Sequence, residues 1–418
     1  MKDKIRIASV GLNNRGYWQT REIADIPGVE VVAVCDIHED LCDRIAEYLE
    51  EKYGKRPVSY TDYKKMLADG GFDAVLCCTT WITHSAIAVD SMRSGFDVAI
   101  EVGGFSDVEE AWELVRASES TGRICMMLEN CCYCEDELAV FRMAREGLFG
   151  EIVNCTGGYC HDLRDEILYG RTLRHGRLDN FIHRNGEFYP THQLGPICKL
   201  LGINRGNRIM TLTSVSSKAR GLKEYLPRTE GLEYLKDVDF KEGDVVDTLM
   251  KCANGETIRL THGCSLPRPY SRMYTVSGTK GAFDEGTFGP AVYFDKATGK
   301  FDGSYPDHPW EHFEEYRDKY AHPLWQAYRE EGVKEGHGGV DWLVLNAFID
   351  AVKVGGKPPI DVYDTALWGA VTALSEQSIA MGGATLPVPD FTKGRWISRE
   401  PVRRSRYCLD EICGECFE

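Results

Sequence analysis

The sequence predicts an α/β protein in two parts: a doubly wound parallel sheet at the N-terminus, then an α+β domain with an open, mostly antiparallel sheet. Three observations lead there. Up to about residue 130, β-branched apolar segments alternate with amphipathic helical stretches, the pattern of βαβ units. The first of those segments breaks into a glycine turn that opens a helix. Beyond residue 150, strands dominate and are joined by turn dipeptides such as Asn254-Gly255.

In chain order, Lys4 to Val10 is the first strand, followed by the turn Gly11-Leu12-Asn13-Asn14-Arg15-Gly16 and a helix. This order cradles a dinucleotide pyrophosphate, because unpaired backbone N–H groups at the helix N-terminus face the anion. Asn13 stands where a central glycine is usual, and a plain strand-to-helix turn would read the same way. The second strand, Val29 to Cys35, adds weight because it ends at Asp36. A carboxylate there accepts both ribose hydroxyls and repels a 2′-phosphate, so the cofactor expected of this Rossmann-type domain is NAD.

Helices are predicted over Glu39–Lys52, Thr61–Ala68, His84–Ser94 and Asp107–Ser118, with strands over Phe72–Cys78, Asp97–Val102 and Arg123–Leu128. Ligands of such sheets bind at the carboxyl ends of the strands. Thr79, Trp81, His84, Glu101 and Asn130 fall there, and with Gly11, Asn13, Asn14, Arg15, Gly16 and Asp36 they form the candidate cofactor site. Any one of them would also serve as a helix cap, Thr80 or Thr83 most plainly.

Strands of the second domain are read at Glu151–Cys160, Asn207–Ser217, a hairpin Asp244–Cys264, Met273–Phe283 and Ala291–Phe301, with Thr298-Gly299 as a further turn. Helices return at His322–Glu331, Val340–Val354 and Val362–Met381. The expected boundaries are 1–130, 131–385 and a tail, 386–418, packed on the surface. One sheet face is expected to meet a second copy of the chain.

Composition narrows the partners. A net charge of −16 without an acidic block argues against nucleic acid and anionic membranes. No apolar run approaches the roughly 20 residues of a membrane span, and the start resembles no export signal, so a cytoplasmic protein is expected. The sixteen cysteines sit mostly in apolar segments and read as reduced thiols. Two groups, Cys131, Cys132 and Cys134, then Cys408, Cys413 and Cys416, lack the four paired ligands of a structural zinc site, so no metal is expected.

The stretch from Asn180 to Gly202 carries the chemistry. A helix beginning near Pro190 would project Tyr189 and His192 from one corner, where a phenol and an imidazole can exchange protons. An ordinary helix entry with both groups hydrogen-bonded is the other reading. Four more clusters fall in loops: Tyr159 and His161; Arg174, His175, Arg177 and His183; Arg268, Tyr270, Arg272 and Tyr274; and Gly336-His337-Gly338-Gly339. Aromatic faces with a few directional polar groups suit a sugar. Tyr189, His192, His161 and Tyr159 are the candidate catalytic residues, and Arg177, Tyr270, His337 and Glu129 the candidate substrate contacts.

Taken together, Glu101-Val102, Cys125-Met126-Met127-Leu128-Glu129-Asn130-Cys131-Cys132-Tyr133, Tyr189-Pro190-Thr191-His192 through Leu194-Gly195-Pro196, Asn204-Arg205-Gly206, Arg268-Pro269-Tyr270-Ser271-Arg272-Met273-Tyr274 and Gly336-His337-Gly338-Gly339 resemble the Gfo/Idh/MocA oxidoreductases. Within them the chain resembles glycoside hydrolase family 109, the NAD-dependent α-N-acetylgalactosaminidases. Where dehydrogenases of the wider family carry Glu-Lys-Pro, this chain has Glu101-Val102-Gly103, so their catalytic lysine is missing; Gln193 replaces a common glycine. The resemblance implies a redox-neutral hydrolysis with tightly bound, recycled NAD: oxidation at sugar carbon 3, elimination across carbons 1 and 2, water addition and re-reduction. Such enzymes stand outside the two-carboxylate rule. For that chemistry Tyr189 and His192 are expected to carry protons at carbons 2 and 3, with His161 or Tyr159 assisting at the leaving group and Arg177 plus the nicotinium charge lowering a tyrosine's pKa. An NAD-dependent sugar dehydrogenase forming a 3-keto-glycoside is the alternative, and a cofactor-binding regulator a third.

Overall fold

The strand β1 (Ile5–Val10) lies at the middle of a six-stranded parallel sheet, ordered β3-β2-β1-β4-β5-β6. The computed structural model describes residues 4–295, 309–334, 336–402 and 404–417. Around β1 are β2 (Val29–Cys35), β3 (Val58–Tyr60), β4 (Ala74–Cys77), β5 (Asp97–Ile100) and β6 (Cys125–Met127). The crossovers are α1 (Asn14–Ala24), α2 (Glu39–Tyr53), α3 (Tyr63–Asp69), α4 (Trp81–Arg93) and α5 (Val108–Thr121). Residues of β4, β5 and β6 are all buried, as a sheet covered on both faces requires. β3 escaped the sequence reading because its three residues carry no buried apolar pattern.

Strand order reverses between β1 and β4, which opens a crevice at their carboxyl ends. Gly11 turns there with φ 82°, and a Cβ on it would sit 2.7 Å from the Cys78 carbonyl. A Cβ on Gly16 would lie 1.8 Å from the Gly11 carbonyl oxygen, so both glycines permit the close approach of α1 to the turn. Asn13, by contrast, has φ −75°, a conformation that needs no glycine.

After α6 (Glu135–Arg145), β7 (Ile152–Cys160) enters the second sheet, ordered β14-β13-β12-β11-β7-β10-β9-β8-β15. Its other strands are β8 (Ile209–Ser216), β9 (Val246–Cys252), β10 (Thr257–Gly263), β11 (Thr275–Gly278), β12 (Gly281–Asp284), β13 (Ala291–Phe294), β14 (Glu311–His312) and β15 (Leu386–Pro387). Pairing is antiparallel except between β7 and β10. The single strand expected over Met273–Phe283 is two, because the chain reverses at Thr279-Lys280 between Gly278 and Gly281. The expected turn Thr298-Gly299 lies outside the described residues.

Helices α7 (Arg164–Leu168), α8 (Arg177–His183) and α9 (Thr191–Leu200) follow β7, and α10 (Gly221–Tyr225), α11 (Glu314–Lys319), α12 (Pro323–Glu331), α13 (Val340–Val354) and α14 (Val362–Ala380) complete the set. α9 packs on β7 and α14 on β8, burying alternate residues such as Val246, Thr248 and Met250 of β9. The opposite face exposes Val215 and Leu249. The last residues return over the fold: Phe391, Val402, Cys408, Leu409 and Cys413 are buried, and Asp410 joins Lys199, Arg205 and Asp364 in a buried ionic cluster. Among the described residues no helix is long and apolar enough to cross a membrane.

Candidate active site

A cleft of about 1490 Å³ runs from the carboxyl edge of the parallel sheet to β7 and α9. Gly11, Asn13, Asn14, Arg15, Asp36, Thr79, Trp81, His84, Glu101 and Asn130 line its first half. Asp36 is held at the end of β2 by two backbone donors, Leu12 N–H at 2.7 Å and His38 N–H at 3.0 Å. The cradle left by Gly11 and Gly16 and the carboxylate of Asp36 fit the pyrophosphate and ribose of a dinucleotide. His84, at the first turn of α4, is buried with Nε2 2.9 Å from the Thr79 carbonyl, and burial pushes its pKa down to about 4.

Arg15 does more than line the turn. Its guanidinium bonds Asp341 on α13 at 2.6 and 2.8 Å and Glu101 at 3.2 Å, so the side chain ties β5 to α13 and only its backbone is left for a phosphate. Asn130 Nδ2 donates to Asp341 at 2.7 Å and His337 Nδ1 lies 2.7 Å from the same carboxylate. Burial opposes the Asp341 charge, but Arg15 and His337 prevail and hold that carboxyl well below the usual range. Asp341 and Glu22, an α1 carboxyl on the cleft wall that burial pushes up to about 7, escaped the sequence reading. The spacing from His337 to Asp341, i to i+4, was the available signal for the first, whereas nothing in the sequence around Glu22 marked it.

The second half gathers the aromatic and imidazole groups. Pro190 caps α9 with φ −69°, so Tyr189 and His192 leave one corner with ring centroids 4.8 Å apart. Tyr159, near the end of β7, lies 4.3 Å from Tyr189 and 5.5 Å from His192. The bridge between Cys160 and Ser271 then brings Tyr270 within 5.2 Å of His161 and 6.0 Å of Tyr159. Arg177, at the start of α8, stands 5.2 Å over Tyr189 and 5.3 Å over Trp81 while its Nε bonds Glu166 at 2.9 Å. α4, β7, α8, the entry to α9 and the loop after β10 thus meet in one wall.

Three expectations are corrected here. Glu129 does not face the cleft: it is 0 % exposed, and its Oε1 takes His192 Nδ1 at 2.8 Å and Cys131 N–H at 3.0 Å, which places it behind His192. Arg177 alone does not bring a phenol toward neutrality, because burial outweighs it, raising Tyr159 to about 12 and holding Tyr189 well above its ordinary value. Of the Arg268–Tyr274 cluster only Tyr270 joins the aromatic wall, packing on Tyr159 and His161 while it and His161 stay outside the cleft lining, since Arg272 turns inward to Glu137 and Cys134 and Tyr274 is buried. Glu129, Cys131 and His192 each place a donor atom within 4.8 Å of the others. His192 and Glu129 share a hydrogen bond, and among the described residues no fourth donor joins the three to close a structural zinc site.

The departures from related motifs also find reasons. Gly103 has φ 148°, which proline cannot adopt, and a Cβ there would lie 2.2 Å from the Trp81 ring. Val102 is buried and offers the cleft no amine. Gln193 packs against Gly157, away from the substrate wall.

Comparison with known proteins agrees with this two-part layout. Residues 5–129 match the family model described as oxidoreductase family, NAD-binding Rossmann fold, and residues 133–398 match glycosyl hydrolase 109, C-terminal domain. A glycosyl hydrolase family 109 protein of Stenotrophomonas maltophilia is 38% identical, the match covering 96% of this chain and 91% of that protein. An alpha-N-acetylgalactosaminidase of Tannerella forsythia is 38% identical, with 95% and 88% covered. Among solved structures, an oxidoreductase from Agrobacterium radiobacter in complex with NAD+, L-tartaric acid and magnesium shares the fold at a TM-score of 0.66 and 16% identity, covering 92% of this chain and 98% of that one.

Proposed function

Because the chain belongs to glycosyl hydrolase family 109, with an NAD-binding oxidoreductase domain at its N-terminus, we propose that it hydrolyses an α-N-acetylgalactosaminide or related glycoside by the redox-neutral route. The observation that carries this reading is the convergence of Tyr159, Tyr189 and His192 on the same cleft as the glycine turn and Asp36. When bound, NAD supplies a hydride acceptor for sugar carbon 3 and returns the hydride at the end of the cycle. Tyr189 and His192 move the protons at carbons 2 and 3, and Tyr159 or His161 gives a proton to the departing oxygen. Arg177, Tyr270 and His337 hold the sugar, and Arg15 fixes the approach of the two halves through Glu101 and Asp341. Val102 in place of a lysine weighs against a dehydrogenase that relies on an amine.

Recycling demands that the cofactor stay. A strap after α7 supports that reading: Asn13 Nδ2 donates to Leu173 O at 2.6 Å and Arg174 O at 3.2 Å, and Arg174 bonds Asp40 at 2.8 Å. It ties the second domain down across the glycine turn. Asn13→Ala, losing two hydrogen bonds of roughly 1 kcal/mol each, is expected to raise NAD loss about ten-fold or more. NAD content after repeated gel filtration checks this, and unchanged retention would remove the strap from the argument. The exposed sheet face with Val215 and Leu249 is the surface we assign to a second copy, and the sixteen free thiols support a reducing, cytoplasmic setting.

The test of the function is hydrolysis of aryl α- and β-glycosides in D2O without added NAD. One carbon-bound deuterium at carbon 2 of the released sugar is the expected result, because a proton must leave and return there. Cleavage without deuterium sinks the route. NADH release on adding NAD+ and free sugar, with no cleavage, makes the protein a dehydrogenase.

A further inference from the structure

Between β6 and α6 the chain places three thiols in four residues, and two of them make a pair that the proposed hydrolysis does not use. Cys131 and Cys134 close a C-x-x-C turn in which Cys134 N–H donates to Cys131 O at 3.1 Å. Turns of that kind bring the two Cα atoms into the span of about 4.4–6.8 Å that a disulfide needs. Cys134 is the half-buried N-cap of α6, where the helix N-terminus favours a thiolate. Arg272 Nη1 donates to its sulfur at 3.3 Å. Arg272 is itself anchored by buried Glu137 at 2.7 Å.

These neighbours act in one direction. The Cys131 hydrogen bond and Arg272 bring Cys134 down to about 6 against the opposing effect of burial. Cys131 and Cys132, both buried, are pushed up by that burial. One thiol is thus poised as a nucleophile and its partner is held protonated beside it.

We propose that Cys134 and Cys131 form a thiol–disulfide exchange site for low-molecular-weight disulfides, set directly behind the Glu129–His192 pair. The Cys134 thiolate attacks one sulfur of the disulfide RSSR, forming a mixed disulfide and releasing RS⁻. Cys131 then gives up its proton and attacks the Cys134 sulfur, releasing the second RS⁻. In sum two protein thiols are oxidised, one RSSR is reduced to two RSH, and no other oxidant is needed. The closing bond acts on the active site through Cys131, whose N–H holds Glu129 Oε1 at 3.0 Å.

The experiment uses the full-length reduced protein with oxidised glutathione as the probe and a chelator present throughout. Intact mass and fragment spectra are expected to show a Cys131–Cys134 disulfide, reversed by dithiothreitol. Iodoacetamide labelling of Cys134 should be half-maximal near pH 6, against about 8.5 for a free cysteine. Cys131→Ser should stall as a glutathione adduct on Cys134, Cys134→Ser should give neither adduct nor closure at this turn, and Cys132→Ser should close normally. A bond that forms through Cys132, closure that survives Cys134→Ser, or no adduct on Cys134 in the Cys131→Ser protein would each overturn the proposal.

Discussion

His192→Ala is expected to lower glycoside turnover by about 10²–10⁴-fold, the range lost when a positioned proton carrier is removed. The imidazole is the one group of the aromatic wall that is both oriented from behind, by Glu129 at 2.8 Å, and packed against Tyr189 in front, with centroids 4.8 Å apart. Its loss should leave the glycine turn, Asp36 and the strap intact, so NAD content is expected to match that of the parent. The absorbance of bound NADH then divides the roles. If His192 serves carbon 2, oxidation proceeds and reduced cofactor accumulates on adding glycoside; if it serves carbon 3, none forms. Turnover within a few-fold of the parent would take His192 out of the mechanism.

Apart from the short β3, the parallel sheet was legible because its physics is local, and the same holds for helix α13. Val29–Cys35 and Val340–Val354 stand where apolar periodicity and flanking turns put them, to the residue. The Met273–Phe283 segment failed because its reversal at Thr279-Lys280 depends on pairing β11 with β7 and β12 with β13, which no window of sequence contains. The same divide runs through the site. Tyr189 and His192 are three residues apart and share a helix entry, so their meeting followed from one proline. The placing of Tyr270 beside His161 depends on the bridge from Cys160 to Ser271, a contact across more than a hundred residues. Glu129 shows the limit most clearly. Its position at the end of β6 marked it as a ligand-facing carboxylate, yet that chain end turns inward into a 3₁₀ segment and takes the side chain with it.

Glu129→Gln is the second large effect expected, and it separates orientation from contact. Glu129 is 0 % exposed, so no substrate atom reaches it, and the amide nearly preserves its volume. What changes is the partner of His192 Nδ1: a charged acceptor becomes a neutral group that presents either an oxygen or an N–H. By analogy with a buried carboxylate behind a catalytic imidazole, the loss in kcat is about 10²–10⁴-fold, because the wrong tautomer is held. KM should move little, since Arg177 and Tyr270 keep their places. Stability gives an independent reading. Burial raises the Glu129 pKa, but His192 and the Cys131 N–H outweigh it and leave the carboxyl below its ordinary value. A carboxyl depressed in the folded state contributes stability above its unfolded pKa and loses it as pH falls through the folded one. The parent should therefore exceed Glu129→Gln in thermal midpoint at neutral pH, with the gap narrowing under acid below the usual carboxylate range. A variant whose midpoint falls while kcat stays within a few-fold would make Glu129 a structural carboxylate only. A drop in kcat with NAD retained and KM unchanged would make it the group that aims His192.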